Sequence, residues 1–128
     1  MRPLSLMVVD DSTIIRNKIQ RVLVQHPLQV VATARNGAEA VALCAQHKPD
    51  VVTMDLTMPE MDGVACIPKL LALRPDILIL VVSALTDKAT AIRALQRGAR
   101  GFLPKPFTEQ QLAESLDELL RGAGRGRS

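Results

Sequence analysis

Short apolar runs recur along this chain, separated by longer stretches in which apolar positions fall three or four residues apart. The runs are Leu4 to Val9, Leu28 to Thr33, Val51 to Met54, Ile77 to Val82 and a short fifth, Gly101 to Leu103. They are continuous rather than alternating, the mark of strands buried on both faces, as in a parallel sheet covered by helices. Between them, Ile15, Ile19, Val22 and Leu23 share one helix face, with Ser12 or Thr13 as the cap. A second helix is predicted from Ala38 to His47, after the Asn36-Gly37 turn, and a fourth from Asp87 to Arg97, closed by Gly98. The fifth opens on Thr108 and Gln111 in capping-box spacing and turns Leu112, Leu116, Leu119 and Leu120 inward. The third is expected to begin near Asp62-Gly63, but Pro68 follows shortly. An interior proline costs a helix about 3 kcal/mol, so this one either starts late, near Ile67, or is kinked.

Five βα units predict an α/β domain with a doubly wound parallel five-stranded sheet. Right-handed crossovers place helices on both faces, and ligands bind outside the carboxyl ends of the strands. The pattern assigns residues 1–121 to this domain and residues 122–128 to a disordered basic tail, since Gly122-Ala123-Gly124-Arg125-Gly126-Arg127-Ser128 carries no apolar face. No repeat or internal linker interrupts it.

Composition narrows the function. The 128 residues fit one domain, and 48% are hydrophobic, enough for a packed core. Aromatics make up only 2%, with no Trp and no Tyr, so the core is aliphatic and there is no stacking platform for single-stranded nucleic acid. The net charge of +3 resides in Arg121, Arg125 and Arg127, in the last eight residues; the body of the domain is balanced. No basic stripe tracks a phosphate backbone, so nucleic acid is not expected as a direct partner. Cys44 and Cys66 have no metal-ligand spacing and read as buried small hydrophobes. The longest apolar run is too short for a bilayer, and Met1-Arg2-Pro3-Leu4 lacks the pattern of a signal peptide. A cytoplasmic protein without membrane contact is expected.

The predicted strand ends carry the chemistry. Asp10-Asp11 follows the first, Asp55 the third, Ser83 the fourth, and Lys105 the fifth, one proline later. Strand two delivers Ala34-Arg35-Asn36 instead. Taken singly, each has an ordinary structural use: acids after a strand cap helices, and a lone lysine is usually solvated. Together they put three carboxylates, one hydroxyl and one ammonium at one edge. Packed carboxylates repel, and a divalent cation relieves that repulsion. Mg2+ favours hard oxygen ligands and is commonly held by one or two carboxylates plus a phosphate oxygen. A carboxylate can attack phosphorus to give an aspartyl phosphate, with Ser83 and Lys105 supplying hydrogen bonds and charge to the phosphoryl oxygens.

At this point the chain resembles the receiver domain of two-component response regulators, of the chemotaxis type, from about Leu6 to Leu120. The motifs are Val8-Val9-Asp10-Asp11-Ser12, Met54-Asp55-Leu56-Thr57-Met58-Pro59-Glu60-Met61-Asp62-Gly63, Val82-Ser83-Ala84, and Gly98-Ala99-Arg100-Gly101-Phe102-Leu103-Pro104-Lys105-Pro106-Phe107. The resemblance implies a flavodoxin-like sheet of order 2-1-3-4-5; the chemotaxis receiver is a named example of that order. It further implies Asp55 as phosphoacceptor. Mg2+ would be bound by Asp11, Asp55 and the backbone carbonyl of Thr57, and by Asp10 through water. Lys105 would bridge to the phosphoryl group, ahead of a cis bond to Pro106. Ser83 would be the switch hydroxyl and Phe102 the coupled aromatic.

The implied partners are a histidine kinase or phosphotransfer protein, and a downstream protein that reads the fourth helix, fifth strand and fifth helix. Lys88, Arg93, Gln96, Arg97 and Arg100 are candidates on that surface. The implied state is a monomer or a weak phosphorylation-dependent dimer. The implied role is a phosphoacceptor switch whose chemistry is limited to its own phosphotransfer and dephosphorylation, not an enzyme.

Departures from the family's commonest residues are Ser83 for Thr and Phe102 for Tyr. Thr57 and Leu85 stand at positions that influence dephosphorylation in this family, and an apolar Leu85 predicts a longer-lived phosphoryl group. Rival readings are a receiver cut from a longer regulator with DNA-binding or methylesterase output, and a scaffold that is never phosphorylated. A third is an aspartyl-phosphate hydrolase. Such hydrolases usually place a second Asp two residues past the nucleophile, where this chain has Thr57. No helix-turn-helix or G-x-S-x-G motif occurs in the chain.

Overall fold

The computed structural model describes residues 4–24, 26, 28–56, 63–84 and 88–126, the side chains of 84 and 123–126 excepted. Among these residues strands and helices alternate: β1 (Leu4–Val9), α1 (Thr13–Leu23), β2 (Leu28–Ala34), α2 (Gly37–His47), β3 (Val51–Asp55), α3 (Gly63–Leu73), β4 (Leu78–Ala84), α4 (Lys88–Gln96), β5 (Gly101–Lys105) and α5 (Glu109–Gly126). The strands form one sheet in the order β2-β1-β3-β4-β5, with every neighbouring pair parallel. This is the flavodoxin-like arrangement.

Side-chain alternation along the strands builds two cores. Met7, Val9, Val52, Met54, Ile79 and Val81 face α2 and α3, against Ala40, Cys44, Cys66, Ile67 and Leu70, with Ala94 of α4. Leu6, Val8, Val51, Leu80, Val82 and Leu103 face the other way, against Ile19, Val22 and Leu23 of α1 and Leu112, Leu116 and Leu119 of α5. The central strands β1, β3 and β4 are dry on both faces, as the continuous apolar runs predicted, while the edge strand β2 leaves Gln29 and Thr33 in solvent.

The caps at Ser12, Gly98 and Thr108–Gln111 lie where the sequence placed them, and Asn36, expected only as a turn residue, caps α2 as well. The Ile15 amide donates to Ser12 Oγ at 3.3 Å. The Glu39 amide donates to Asn36 Oδ1 at 2.8 Å. Thr108 and Gln111 cap reciprocally: the Thr108 amide donates to Gln111 Oε1 (2.8 Å) and the Gln111 amide to Thr108 Oγ1 (3.0 Å). Gly98 adopts φ +121°, and a Cβ there would meet Leu71 Cδ1 at 2.4 Å, so both backbone and space require glycine.

Two features differ from expectation and one was left open. Helix α3 resolves the open alternative: it begins at Gly63, at the expected Asp62-Gly63 start, rather than late near Ile67, and continues through Pro68. Proline removes one ladder bond, to the Val64 carbonyl, while Val64, Cys66, Ile67 and Leu70 bury their face and offset the loss. Helix α5 continues to Gly126, where a structureless tail was expected from Gly122. No proline stops the ladder there, and Ala123 and Arg125 are good helix formers. Strands β3 and β5 run past their last apolar residue to Asp55 and Lys105, which pair with Val82 and Ala84. Hydropathy ends a strand where a polar side chain begins, but the backbone ladder does not.

At the opposite, amino edge of the sheet, Asp50 joins three elements. Its Oδ2 accepts from the Ser5 amide at 2.7 Å and from Ser5 Oγ at 3.1 Å, and its Oδ1 lies 2.6 Å from Arg74 Nη1. Burial pushes the Asp50 carboxyl up, but the Ser5 amide and the Arg74 guanidinium together hold it below its ordinary value. A depressed folded pKa contributes stability above the unfolded value and loses it as pH falls through the folded value. Asp50→Asn is therefore expected to cost about 2–3 kcal/mol at neutral pH. The gap to the wild type should shrink as pH drops below about 4. Urea titrations of both proteins across that range check it, and a gap independent of pH would contradict the ion-pair account.

Candidate functional site

The carboxyl edge gathers the charged residues singled out from the sequence. Asp10 follows β1 directly and is held on both sides: its amide donates to the Ala34 carbonyl at 2.9 Å, and its Oδ1 accepts from the Ser12 amide at 2.8 Å. Asp55 ends β3. Each of these two is only 2% exposed, whereas Asp11 is open to solvent. Asp10, Asp11 and Asp55 each offer a carboxylate oxygen, and these atoms all lie within 4.8 Å of one another. Lys105, at the end of β5, places Nζ 3.2 Å from Asp10 Oδ2 and 3.5 Å from Asp55 Oδ2. The Lys105-Pro106 peptide bond is cis.

The electrostatics are those of a site short of positive charge. Burial raises the Asp10 carboxyl above its ordinary value and the neighbouring Asp55 charge adds to this, while the Ser12 amide and the Lys105 ammonium pull it down. Three carboxylates face one ammonium. The donors are hard oxygens, close enough to share one ion and open to solvent through Asp11, and this set fits a divalent cation of the Mg2+ type.

Ser83 lies at the carboxyl end of β4 with no exposed surface, and its Oγ has no hydrogen-bond partner among the described residues. Phe102 is half-buried and packs on the core facing α2 and α3. Thr57 and Leu85 lie outside the described residues. Lys88, Arg93, Gln96, Arg97 and Arg100 are all exposed. Sequence reasoning missed Arg16, whose Nη1 donates to the Asp10 backbone carbonyl at 2.8 Å and whose Nη2 donates to Thr13 Oγ1 at 3.1 Å. A backbone carbonyl partner leaves no trace in a sequence. It also missed Ile92 and Leu95 of α4, 55% and 42% exposed, which were legible as apolar residues off the helix's inward stripe. Among the described residues, no helix is long and apolar enough to cross a membrane.

Comparison with known proteins gives a consistent picture. Residues 6–117 match the family model for the response regulator receiver domain. The chain is 38% identical over 115 residues to the chemotaxis protein CheY of Bacillus subtilis, covering 90% of this chain and 96% of that protein. It is 42% identical over 114 residues to a protein-glutamate methylesterase/protein-glutamine glutaminase of Rhodopseudomonas palustris, covering 87% of this chain but 29% of that protein. Among solved structures, the CheX-CheY-BeF3-Mg2+ complex from Borrelia burgdorferi matches with a TM-score of 0.86 and 27% identity, over 92% of this chain and 90% of that one.

Two expectations follow from the geometry. Removing one charge from the cluster, as in Asp10→Asn, should raise metal-free stability, because burial and the Asp55 charge both disfavour the Asp10 carboxylate. Millimolar Mg2+ should raise the melting temperature of the wild type but not of this variant. Thermal melts with and without Mg2+ test both, and a wild type indifferent to Mg2+ would count against a metal site. Ser83→Ala removes a buried hydroxyl that lacks a partner, so it should leave stability unchanged or raise it by up to about 1 kcal/mol. Denaturant melts measure this, and a loss of more than about 1 kcal/mol would mean that the hydroxyl has a partner in the resting protein.

Proposed function

The chain belongs to the response regulator receiver domain family, and from that premise we propose that it is a phosphorylation switch that accepts a phosphoryl group on Asp55. The observation that carries this reading is the placement of Asp55. It is a buried carboxylate at a strand's carboxyl end, with Asp10 and Asp11 in ligand range of one ion and Lys105 Nζ at 3.5 Å.

Asp11 and Asp55 would hold Mg2+, joined, as the resemblance implies, by the Thr57 carbonyl, and Asp10 would act on it through a water. When bound, the ion supplies positive charge that offsets the carboxylates and the phosphoryl oxygens. The complex of the Borrelia relative with BeF3 and Mg2+ supports this choice of metal. The donor is a phosphohistidine of a histidine kinase or phosphotransfer protein, or a small acyl phosphate. A carboxylate oxygen of Asp55 forms the new P–O bond as the donor's P–N bond breaks, and the electron pair leaves on the imidazole nitrogen. Lys105 neutralises one phosphoryl oxygen, and Ser83 turns its free hydroxyl to another. Phe102 repacks behind Ser83.

The group adds about −1.5 to −2 charge, and the site answers by moving the groups that can pair with it. The output surface is α4, β5 and α5, where Ile92 and Leu95 stand exposed among Lys88, Arg93 and Arg97. A downstream protein reads it, as a monomer or across a weak dimer. The methylesterase relatives favour a second reading of the context. There the same domain is a regulatory part of a longer protein, and its output lies in that protein's further length.

Intact mass after incubation with Mg2+ and acetyl phosphate tests the proposal. One phosphoryl group is expected on the wild type and none on Asp55→Asn. Equal gain on both would place the acceptor elsewhere. No gain on the wild type, even with a competent kinase, would leave a receiver that signals without phosphorylation.

A further inference from the structure

The loop that presents Lys105 is also held from the side of α1. Lys18, on that helix, donates a hydrogen bond from Nζ to the backbone carbonyl of Phe107, and the same Nζ lies 4.8 Å from the centroid of the Phe107 ring. Phe107 is 3% exposed and belongs to the core that α1 and α5 share. Lys18 is half-buried and falls three residues after Ile15 and four before Val22, on the inward stripe of the helix. A cation at such a position keeps its charge only where polar or π partners replace water. Among the described residues both of its polar contacts go to Phe107.

Phe107 is two residues from Lys105, whose ammonium must reach both Asp10 and Asp55. The lysine stem is four flexible carbons, so the position of that ammonium depends on where the backbone of the β5–α5 loop sits. Helix α1 already holds the acidic half of the site, through Arg16 on the Asp10 carbonyl. Through Lys18 it holds the basic half as well.

We propose that Lys18 is a positioning residue. By clamping Phe107 to α1 it fixes the β5–α5 loop, and so aims Lys105 at the oxygens of a phosphoryl group on Asp55. The consequence for rate rests on the phosphorylation reading above; the consequence for Lys105 itself does not.

The test compares wild type, Lys18→Met, which keeps the apolar stem without the cation, and Lys18→Arg, which restores cation and donor. In 15N-labelled protein with no phosphodonor, the Lys105 ammonium is expected to give a resolved, exchange-protected NMR signal in wild type and Lys18→Arg. It should be broadened or lost in Lys18→Met. The initial rate of phosphorylation by acetyl phosphate, read by intact mass, should fall about tenfold in Lys18→Met and stay within about twofold in Lys18→Arg. Mg2+ affinity should stay unchanged in both. An intact Lys105 signal in Lys18→Met, or a loss of Mg2+ affinity in step with the rate, would overturn the proposal, the second because it marks general loosening of the site. If the wild type takes up no phosphoryl group, the phosphorylation reading fails and the Lys105 signal alone decides the role of Lys18.

Discussion

The central strands β1, β3 and β4 are dry on both faces and have nowhere to keep polar side chains except at their two ends, and the rest of this structure follows from that constraint. The strands are parallel, so each edge collects one kind of strand end. The amino edge collects Ser5, Asp50 and Arg74, a set whose charges are matched and whose oxygens are paired. The carboxyl edge collects Asp10, Asp55, Ser83 and Lys105, a set in which acids outnumber bases and a hydroxyl has no partner. One edge is electrostatically closed and the other is left open. Thr53 is the exception inside the sheet, a buried β3 hydroxyl without a partner among the described residues.

The opposite shifts of Asp50 and Asp10 express the same contrast. Both carboxyls are buried, and burial alone pushes both up. At Asp50 the amide and guanidinium more than offset it, and the group strengthens the fold. At Asp10 the second carboxylate adds to burial, and the single lysine between them does not make up the difference. A fold tolerates such a site when the rest of the domain holds it, here through two aliphatic cores and well-capped helices. A cation bound there would relieve the tension, so affinity for an ion and the cost of the site without one would have one origin.

Much of this was legible in the sequence because it obeys local rules. Continuous apolar runs gave away the buried parallel strands, and Ser12, Asn36, Thr108 with Gln111, and Gly98 marked helix ends by their own chemistry. The polar residues at the strand ends were legible for the same reason, since dry central strands allow them nowhere else. Pro68 left the start of α3 open between two positions, because its cost is local while the burial that outweighs it is tertiary. The strand ends fell short because Asp55 and Lys105 are polar yet still in the ladder. Arg16 and Lys18 were missed because each bonds to a backbone carbonyl, and any residue could have supplied that atom. Lys18 did leave a trace, as a charge on the inward stripe of α1.

The same reasoning explains why α4 suits an output role. The Arg100 amide bonds to the Ile79 carbonyl, so the even-numbered residues of β5 face β4. Pro104 is one of them and has no N–H to give, and its partner in the register is Ser83. One β4–β5 rung therefore lacks a ladder donor, at the place where the Ser83 hydroxyl also lacks a partner among the described residues. Helix α4 comes next along the chain, and its buried residues are only Ala91 and Ala94. Helix α5 buries Leu112, Leu116 and Leu119, each with far more apolar area to lose. A change of charge at Asp55 would thus act beside a strand end that is weakly tied and a helix that is lightly anchored. That helix also carries Ile92 and Leu95 into solvent.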